Sequence, residues 1–438
     1  MKARERFLRL FFRSLLRVFF KRISVIGPGT IPADGPLILA ANHVNSLLDP
    51  LILLVVSPRP VRFLAKAPLF RQPVVAPFLR LLRVLPVERR QDEGSDMARN
   101  EALFQACGEG LVHGEALALF PEGISHNEPA LQPVKTGASR ILGRALSMGA
   151  RPPSLVPAGL IYSAKTIFRS DVTVNVGLPV DYSDIVWGAG DDREAVKTLT
   201  VRIEEGLRSL TLNAEKWDDL QFVGQLRGMA LESLRISPGE VPDAEAERRM
   251  LDKYYMAREE RPEELKVLIR RAKTYSRMLG TLHLRDEDVA REVHFRSALA
   301  YTWKRLAAMI LGYPAALYGW VFNIVPYALT GPLAKMVAKK EDLVALYKLC
   351  IGMGLFLIFY AGGTALLWHL IGIPGLVLMA IAVPSGFFAL VYFEMREEFL
   401  RTARVVLTLG TRRRTVRRLR AIRHDVMAAL EPFIDLYK

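Results

Sequence analysis

Cysteine is nearly missing from this 438-residue sequence: Cys107 and Cys350 are the two, in very different surroundings. They exclude a disulfide framework and a cysteine-based zinc centre, and they fit a reducing compartment. Also lacking are a Gly-x-x-x-x-Gly-Lys loop, a Gly-x-Gly-x-x-Gly fingerprint and a His-Glu-x-x-His pair, so no nucleotide-cofactor or zinc signature is present. No internal repeat or low-complexity segment stands out. The longest absence is one of charge: from Leu349 to Phe393, 45 residues pass without Asp, Glu, Lys or Arg. One membrane helix needs about 20 apolar residues. Gly372, Ile373, Pro374 and Gly375 interrupt the run near its middle, so the expectation is a transmembrane hairpin over 349–371 and 373–393.

What is present points the same way. Apolar residues make up 51% of the chain and mean hydropathy is +0.18, high for a protein with a fully wetted surface. Sixty Lys and Arg against 45 Asp and Glu give a net charge of +15, which suits a polyanion or an anionic membrane surface. Lys335, Lys339, Lys340 and Lys348 precede the hairpin, and Arg396, Arg401, Arg404 and the tract from Arg412 to Arg423 follow it. The positive-inside rule then puts both ends in the cytoplasm. Because the arginine tract directly follows a membrane helix, residues 396–438 read as a basic cytoplasmic tail that meets lipid headgroups rather than nucleic acid. An earlier uncharged stretch, 306–334, carries Pro314, Pro326 and Pro332 and reads as kinked, re-entrant or interfacial.

At the other end, Arg6, Arg9, Arg13, Arg17 and Lys21 recur every three or four positions among Phe, Leu and Val. Residues 1–24 are therefore expected to form an amphipathic helix lying on the membrane surface. From 25 to 213 short apolar runs bounded by Gly and Pro (PLILAAN, ALALFPEG, SLVPAGLIY, VTVNVGLPV) alternate with helical stretches (ARNEALFQACGEGL, GASRILGRALSM), the pattern of an α/β domain. Residues 214–305 are charged and helix-rich, broken at SPGEVPDAE, and read as a helical hairpin or small bundle.

The chemistry concentrates at strand ends. His43 follows the first core strand and precedes Asp49-Pro50, a placement that builds a general base with its orienting carboxylate. Phe120-Pro121-Glu122-Gly123 follows a second strand, with Lys135-Thr136-Gly137 opening a helix beyond it. No Gly-x-Ser-x-Gly elbow surrounds Ser125, which argues against a serine hydrolase built on Ser125 and His126.

Taken in order, His43…Asp49, Leu85-Pro86-Val87-Glu88-Arg89, Phe120-Pro121-Glu122-Gly123 and Val156-Pro157-Ala158-Gly159 resemble the four blocks of the glycerolipid acyltransferase family. Gly35-Pro36, Lys66 and Lys135-Thr136-Gly137 add to the likeness. The resemblance spans roughly 25–213 and implies an α/β acyltransferase domain. It also implies transfer of a fatty acyl group from acyl-CoA or acyl carrier protein, as co-substrate and with no cofactor, to a phosphorylated glycerol-type acceptor. His43 would be the base and Asp49 its partner, Arg89 and Lys135 would bind the phosphate, and Glu122 and Gly123 would lie near the glycerol moiety. One departure matters: most of the family has four residues between His and Asp, whereas His43 and Asp49 have five between them. One extra residue turns a helix by about 100°, so a loop must absorb it, and Pro50 favours an extended Asp49. The yeast-type glycerol-3-phosphate acyltransferases carry a similar longer segment, and FPEGISHNEPALQPVKTG and TLNAEKWDDL also look like that subgroup. Glycerol 3-phosphate is accordingly the expected acceptor, with lysophosphatidate and dihydroxyacetone phosphate as alternatives. A non-catalytic lipid-binding membrane protein is the rival of another class.

Overall fold

The computed structural model describes residues 3–27, 31–71, 75–88, 98–188, 192–234, 243–290, 295–338 and 341–431. They form two compact units, one of Met1–Lys216 with Ala338–Leu346 and one of Trp217–Val337 with Tyr347–Lys438.

The first unit is α/β. Its strands are β1 (Arg22–Ile26), β2 (Leu37–Ala41), β3 (Arg62–Lys66), β4 (Leu85–Val87), β5 (Ala116–Leu119), β6 (Ser154–Tyr162) and β7 (Asp171–Val176). They make one sheet in the order β1-β7-β6-β2-β5-β3-β4. Every neighbouring pair is parallel except β6 and β7, which run antiparallel. The apolar run Leu-Ile-Leu-Ala-Ala makes β2 a central strand, buried along its whole length, as a parallel strand covered on both faces must be. The runs that announced strands in the sequence are β2, β5, β6 and β7. The edge strands β1 and β4 and the Arg- and Lys-ended β3 lack that signal and were not anticipated.

Helices α4 (Ala98–Val112), α5 (Gly137–Ser147) and α6 (Arg193–Leu210) are built on apolar residues three and four apart. Leu103, Cys107 and Leu111, then Ile141, Leu142 and Ala145, then Leu199, Ile203 and Leu207 share one core with Ile38, Ala40, Leu117 and Leu155. By the two-residue period of a strand, Leu37 and Leu39 point to the opposite face. Asp192 caps α6, accepting from the Glu194 and Ala195 N–H groups. Gly159 in β6 is required by close approach: a Cβ there would run into the Leu210 backbone at the end of α6.

The N-terminal helix corrects one expectation. α1 spans Ala3–Phe19, and residues 22–26 are strand β1 paired with β7 rather than more helix. α1 packs beside α2 (Leu48–Val56) and buries Phe12, Leu16 and Phe19, while Phe7, Leu10 and Phe11 stay exposed. Three of its arginines serve the protein itself, Arg4 by donating to the Leu81 carbonyl at 3.0 Å. Arg9 donates to the Val55, Ser57 and Pro58 carbonyls and Arg13 to Val55, so their charge sits on the free carbonyls at the C-terminal end of α2. The short α3 (Val75–Leu81) completes the unit's helices among the described residues.

The second unit is helical. α7 (Trp217–Leu234), α8 (Asp243–Glu260), α9 (Pro262–Leu282) and α10 (Asp286–Ala290) precede three long helices, α11 (Phe295–Val337), α12 (Glu341–Ile371) and α13 (Ile373–Thr411). Within these, Arg305–Val337, Leu343–Ile371 and Ile373–Thr408 are long and apolar enough to cross a membrane. α11 is one continuous helix through Pro314, Pro326 and Pro332, so 306–334 is not re-entrant. α12 and α13 meet at Gly372, whose φ of +69° favours glycine. The tightly packed pair is α11 with α13, running antiparallel: Tyr392 donates to the Met309 carbonyl and Asn323 to the Ala382 carbonyl, and Arg305 pairs with Glu398.

The expected basic tail is also corrected. Residues 396–411 continue α13, and α14 (Arg413–Leu430) packs on α9 by burying Val416, Leu419, Val426 and Leu430. Arg423 forks onto both oxygens of Asp286 at 2.8 and 2.9 Å, so part of the arginine tract is a folded contact.

Candidate active site

Three adjacent strands deliver the site. β2, β5 and β6 run parallel, and His43, Glu122 and Tyr162 lie at or just beyond their carboxyl ends, the edge where α/β sheets present functional groups. Asn42 fixes the alignment there. Its side chain donates to the Leu160 carbonyl at 3.1 Å and accepts from the Leu160 N–H at 2.6 Å, extending the β2–β6 ladder one step past its last backbone pair.

His43 Nδ1 lies 2.9 Å from Asp49 Oδ2. The expectation of an extended Asp49 is overturned: Asp49 sits in the first turn of α2. Pro50 follows it there without cost, because N–H groups in a first turn have no helical acceptor to lose. The extra residue is absorbed one step earlier, at Ser46, whose φ of +41° is left-handed. A turn at 45–47 followed immediately by helix thus returns the carboxylate to the imidazole despite the longer spacing.

Asp49 is completely buried. A bare carboxylate there would be costly, and three donors offset that cost: His43 Nδ1–H and the Asn45 N–H at 2.7 Å on Oδ2, and the Tyr162 hydroxyl at 2.5 Å on Oδ1. Hydrogen bonds to a charged group contribute about 1.5–3 kcal/mol each. With Nδ1–H directed at Asp49, the lone pair of His43 is on Nε2, and no described residue hydrogen-bonds that nitrogen. Phe120 stacks on the imidazole at 4.2 Å and 20°, holding its plane.

Glu122 works on the backbone of His43. One carboxylate oxygen accepts the His43 N–H at 2.6 Å, and the other accepts from His126 Nε2 at 2.5 Å and the Gln132 N–H at 2.8 Å. His126 is itself pinned, since its Nδ1 accepts the Glu128 N–H. Its one ring proton is thereby on Nε2, and neither nitrogen is free to act as a base. Ser125 accepts from the Ser46 N–H. This pair belongs to the scaffold around His43, in keeping with the missing hydrolase elbow.

Gly123 has φ +70°, and Lys135 crosses directly over it: a Cβ at 123 would lie 2.7 Å from Lys135 Nζ. The structure therefore brings His43, Asp49, Glu122, Gly123 and Lys135 to one end of the sheet, with Lys135 exposed to solvent. Arg89 lies outside the described residues. Sequence reasoning missed Tyr162, Asn42, Asn45 and Gln132. Tyr162 ends the run SLVPAGLIY, and its place at the carboxyl end of a strand beside β2 was the available signal.

The acyltransferase family model matches residues 22–161. Among curated proteins, an uncharacterized acyltransferase of Schizosaccharomyces pombe is 25% identical over 79% of this chain and 66% of its own length. Glycerol-3-phosphate O-acyltransferase 1 of Saccharomyces cerevisiae is 25% identical over 61% of this chain and 37% of its own length. A 1-acyl-sn-glycerol-3-phosphate acyltransferase of Bacillus subtilis is 28% identical over 42% of this chain and 87% of its own length. The chain thus spans less than two thirds of the first two relatives. The matched segment holds β1 through nearly all of β6, and with it His43, Asp49, Glu122, Gly123 and Lys135. Over the segment that holds the site, the α/β unit is thus similar to glycerolipid acyltransferases.

Proposed function

We propose that this protein is a membrane-bound O-acyltransferase that moves a fatty acyl group from an acyl thioester to glycerol 3-phosphate. The observation that carries the reading is the His43 Nδ1–Asp49 Oδ2 contact at 2.9 Å, with Nε2 left open. Nε2 takes the proton from an acceptor hydroxyl as its oxygen attacks the thioester carbonyl carbon. Asp49 stabilises the imidazolium that forms. Collapse of the tetrahedral adduct breaks the carbon–sulfur bond, and the departing thiolate recovers the proton from His43. Lys135 supplies positive charge for the acceptor's phosphate beside Gly123, where no side chain obstructs approach, and Arg89 is assigned to the same phosphate from its place in the motif. Either acyl-CoA or acyl carrier protein serves as the thioester.

Glycerol 3-phosphate is chosen as acceptor because the yeast relative is named for it and because the longer His43-to-Asp49 spacing resembles that of the yeast-type subgroup. The Bacillus relative, matched over most of its own length, favours lysophosphatidate as the second reading. Membrane attachment is inferred from the three long apolar helices. The basic residues on both sides of the uncharged run 349–393 assign its two ends to the cytoplasm.

The test is acyl transfer by purified wild type and His43→Ala to labelled glycerol 3-phosphate, lysophosphatidate and dihydroxyacetone phosphate, with each donor. The expected result is transfer to glycerol 3-phosphate that the variant loses. Transfer surviving in His43→Ala removes the mechanism, and wild type inert with every pair favours a non-catalytic lipid-binding role.

A further inference from the structure

We propose that Tyr162 is a positioning residue of the His43–Asp49 dyad, its hydroxyl fixing the Asp49 oxygen that His43 does not use. This rests on the reading of His43 as the base. Asp49 has two oxygens at zero exposure, and the protein partners them differently. Oδ2 receives His43 and the Asn45 backbone, both within six residues along the chain. Oδ1 receives Tyr162, 113 residues away, and no other described residue donates to it. The donors on Oδ2 are both local to the segment 43–49, and Tyr162 is the contact that ties the carboxylate to the sheet.

Tyr162 is well placed for this. It is the last residue of β6, in register with Val172 of β7, and two residues earlier Leu160 is locked to Asn42 beside His43. Phe20, just past the end of α1 and fully buried, packs on its ring at 5.9 Å. The residue as a whole is half-buried, and its hydroxyl lies against the fully buried Asp49 carboxylate. That burial, followed by the neighbouring Asp49 charge, holds the phenol well above its ordinary range, so it stays a donor throughout the working pH. A donor on Oδ1 also draws charge away from the oxygen facing His43, and this tempers how strongly Asp49 favours the imidazolium. The other charged or titratable groups near the dyad are Glu122 on the His43 backbone, His126 bonded to Glu122, and Lys135 over Gly123. None of these reaches Asp49.

Tyr162→Phe keeps the ring and removes the donor. Stranding a buried carboxylate oxygen is expected to lower kcat about 10-fold with KM for the acyl donor unchanged. Asp49 then favours the imidazolium more strongly, so the acid limb of kcat/KM moves up by about half a pH unit. Tyr182→Phe is the control, since Tyr182 makes an equally short hydroxyl bond, 2.5 Å to the Pro153 carbonyl, elsewhere in the same unit. It should leave limb and kcat in place. A second readout does not need turnover: diethyl pyrocarbonate modifies neutral imidazole, and its pH midpoint at His43, read by peptide mass spectrometry, should move upward in Tyr162→Phe alone. An unmoved midpoint overturns the proposal, as does a loss of kcat with an unmoved limb, which is the mark of simple destabilisation. Wild type without acyl transfer defeats the acyltransferase reading, while the modification midpoint still decides the role of Tyr162.

Discussion

The two units bury opposite things. In the α/β unit the interior is largely leucine, isoleucine and valine, and three of the polar side chains it encloses, Asn42, Asp49 and Glu122, are held by two or three hydrogen bonds each at the strand ends. In α11–α13 the large apolar side chains face outward, Leu311, Leu357, Ile358 and Leu370 among them. The helix contacts are made instead by small residues and polar links. Gly319 meets the Ser385 carbonyl, Ala316, Ala382 and Ala389 are buried, and Tyr360 donates to Asn323, which in turn donates to Gly319 and Ala382. When the solvent is itself apolar, burial of leucine gives no driving force, and close backbone approach with interhelical hydrogen bonds takes its place. The two units thus follow two packing rules, the second of the kind that suits an apolar solvent, and the proposed chemistry belongs to the first.

The largest effect should come from breaking the chemistry without touching either packing rule. His43→Ala is expected to lower kcat about 10²- to 10⁴-fold, the usual worth of a positioned base. Its melting temperature should fall only modestly, because Asp49 loses one of its three donors and keeps the Asn45 and Tyr162 bonds. The matched change in the other unit, Leu357→Ala on the exposed apolar face of α12, should leave kcat within about twofold, since lipid-facing side chains add little to fold stability. Equal losses in the two variants, measured in one acyl-transfer assay, would end the division of labour.

A smaller effect tests the packing rule of the helical unit. In Gly319→Leu the new Cβ meets the Ser385 backbone on the facing helix, so α11 and α13 must separate. Overpacking of this kind costs about 1–3 kcal/mol, readable as earlier unfolding in a dodecyl sulfate titration. Unchanged unfolding would mean that the two helices do not rely on that approach.

How much of this was written in the sequence follows the same division. The α/β core was legible because β2, β5 and β6 carry buried apolar runs, β7 alternates buried valines with polar residues, and α5 shows a clean helical period. β1, β3 and β4 were not, since edge or short strands carry Arg, Lys and Pro and depend on their neighbours for their conformation. The positions singled out as site residues, His43, Asp49, Glu122, Gly123 and Lys135, lie together at one end of the sheet. The helical start at Asp49 was misread because Pro50 was weighed as a breaker, whereas a first-turn proline is tolerated. Tyr162 and Asn42 act across more than 110 residues of chain, and no local pattern reports such a pairing. The apolar length of α11–α13 was visible, but the pairing of α11 with α13 depends on small residues whose partners only the fold supplies.

The cysteines sharpen the comparison further, one falling in each unit. Cys107 is fully buried under α5 and burial pushes its thiol up to about 12, against an ordinary 9.0. At pH 8 its thiolate fraction is therefore about a thousandfold below that of a free thiol. Alkylation of Cys107 should follow opening of the α/β unit, whereas the exposed Cys350 in α12 should react in detergent without any unfolding. Rapid labelling of Cys107 in the folded protein would show that α4 and α5 are not the closed layer described.

The smallest effect lies on the wetted surface, where charge pairs obey the rules of water. Arg202 on α6 forks onto Asp184 at 2.5 and 2.6 Å, and that hydrogen bonding lowers the Asp184 carboxyl from 3.8 to about 2. A carboxylate depressed by folding contributes stability above its unfolded value, and the contribution disappears as pH falls through the folded one. Arg202→Ala should accordingly melt slightly earlier than wild type at neutral pH, and the two melting curves should converge between pH 3.8 and about 2. Asp184 is exposed and Arg202 only half-buried, so added salt should shrink the neutral-pH difference as well. A difference that survives high salt would mean that Arg202 acts through its other partner, the Asp181 carbonyl at 2.8 Å, which fastens α6 to the loop after β7. That bond is indifferent to pH, and it would make the helix anchor rather than the ion pair the stabilising contact.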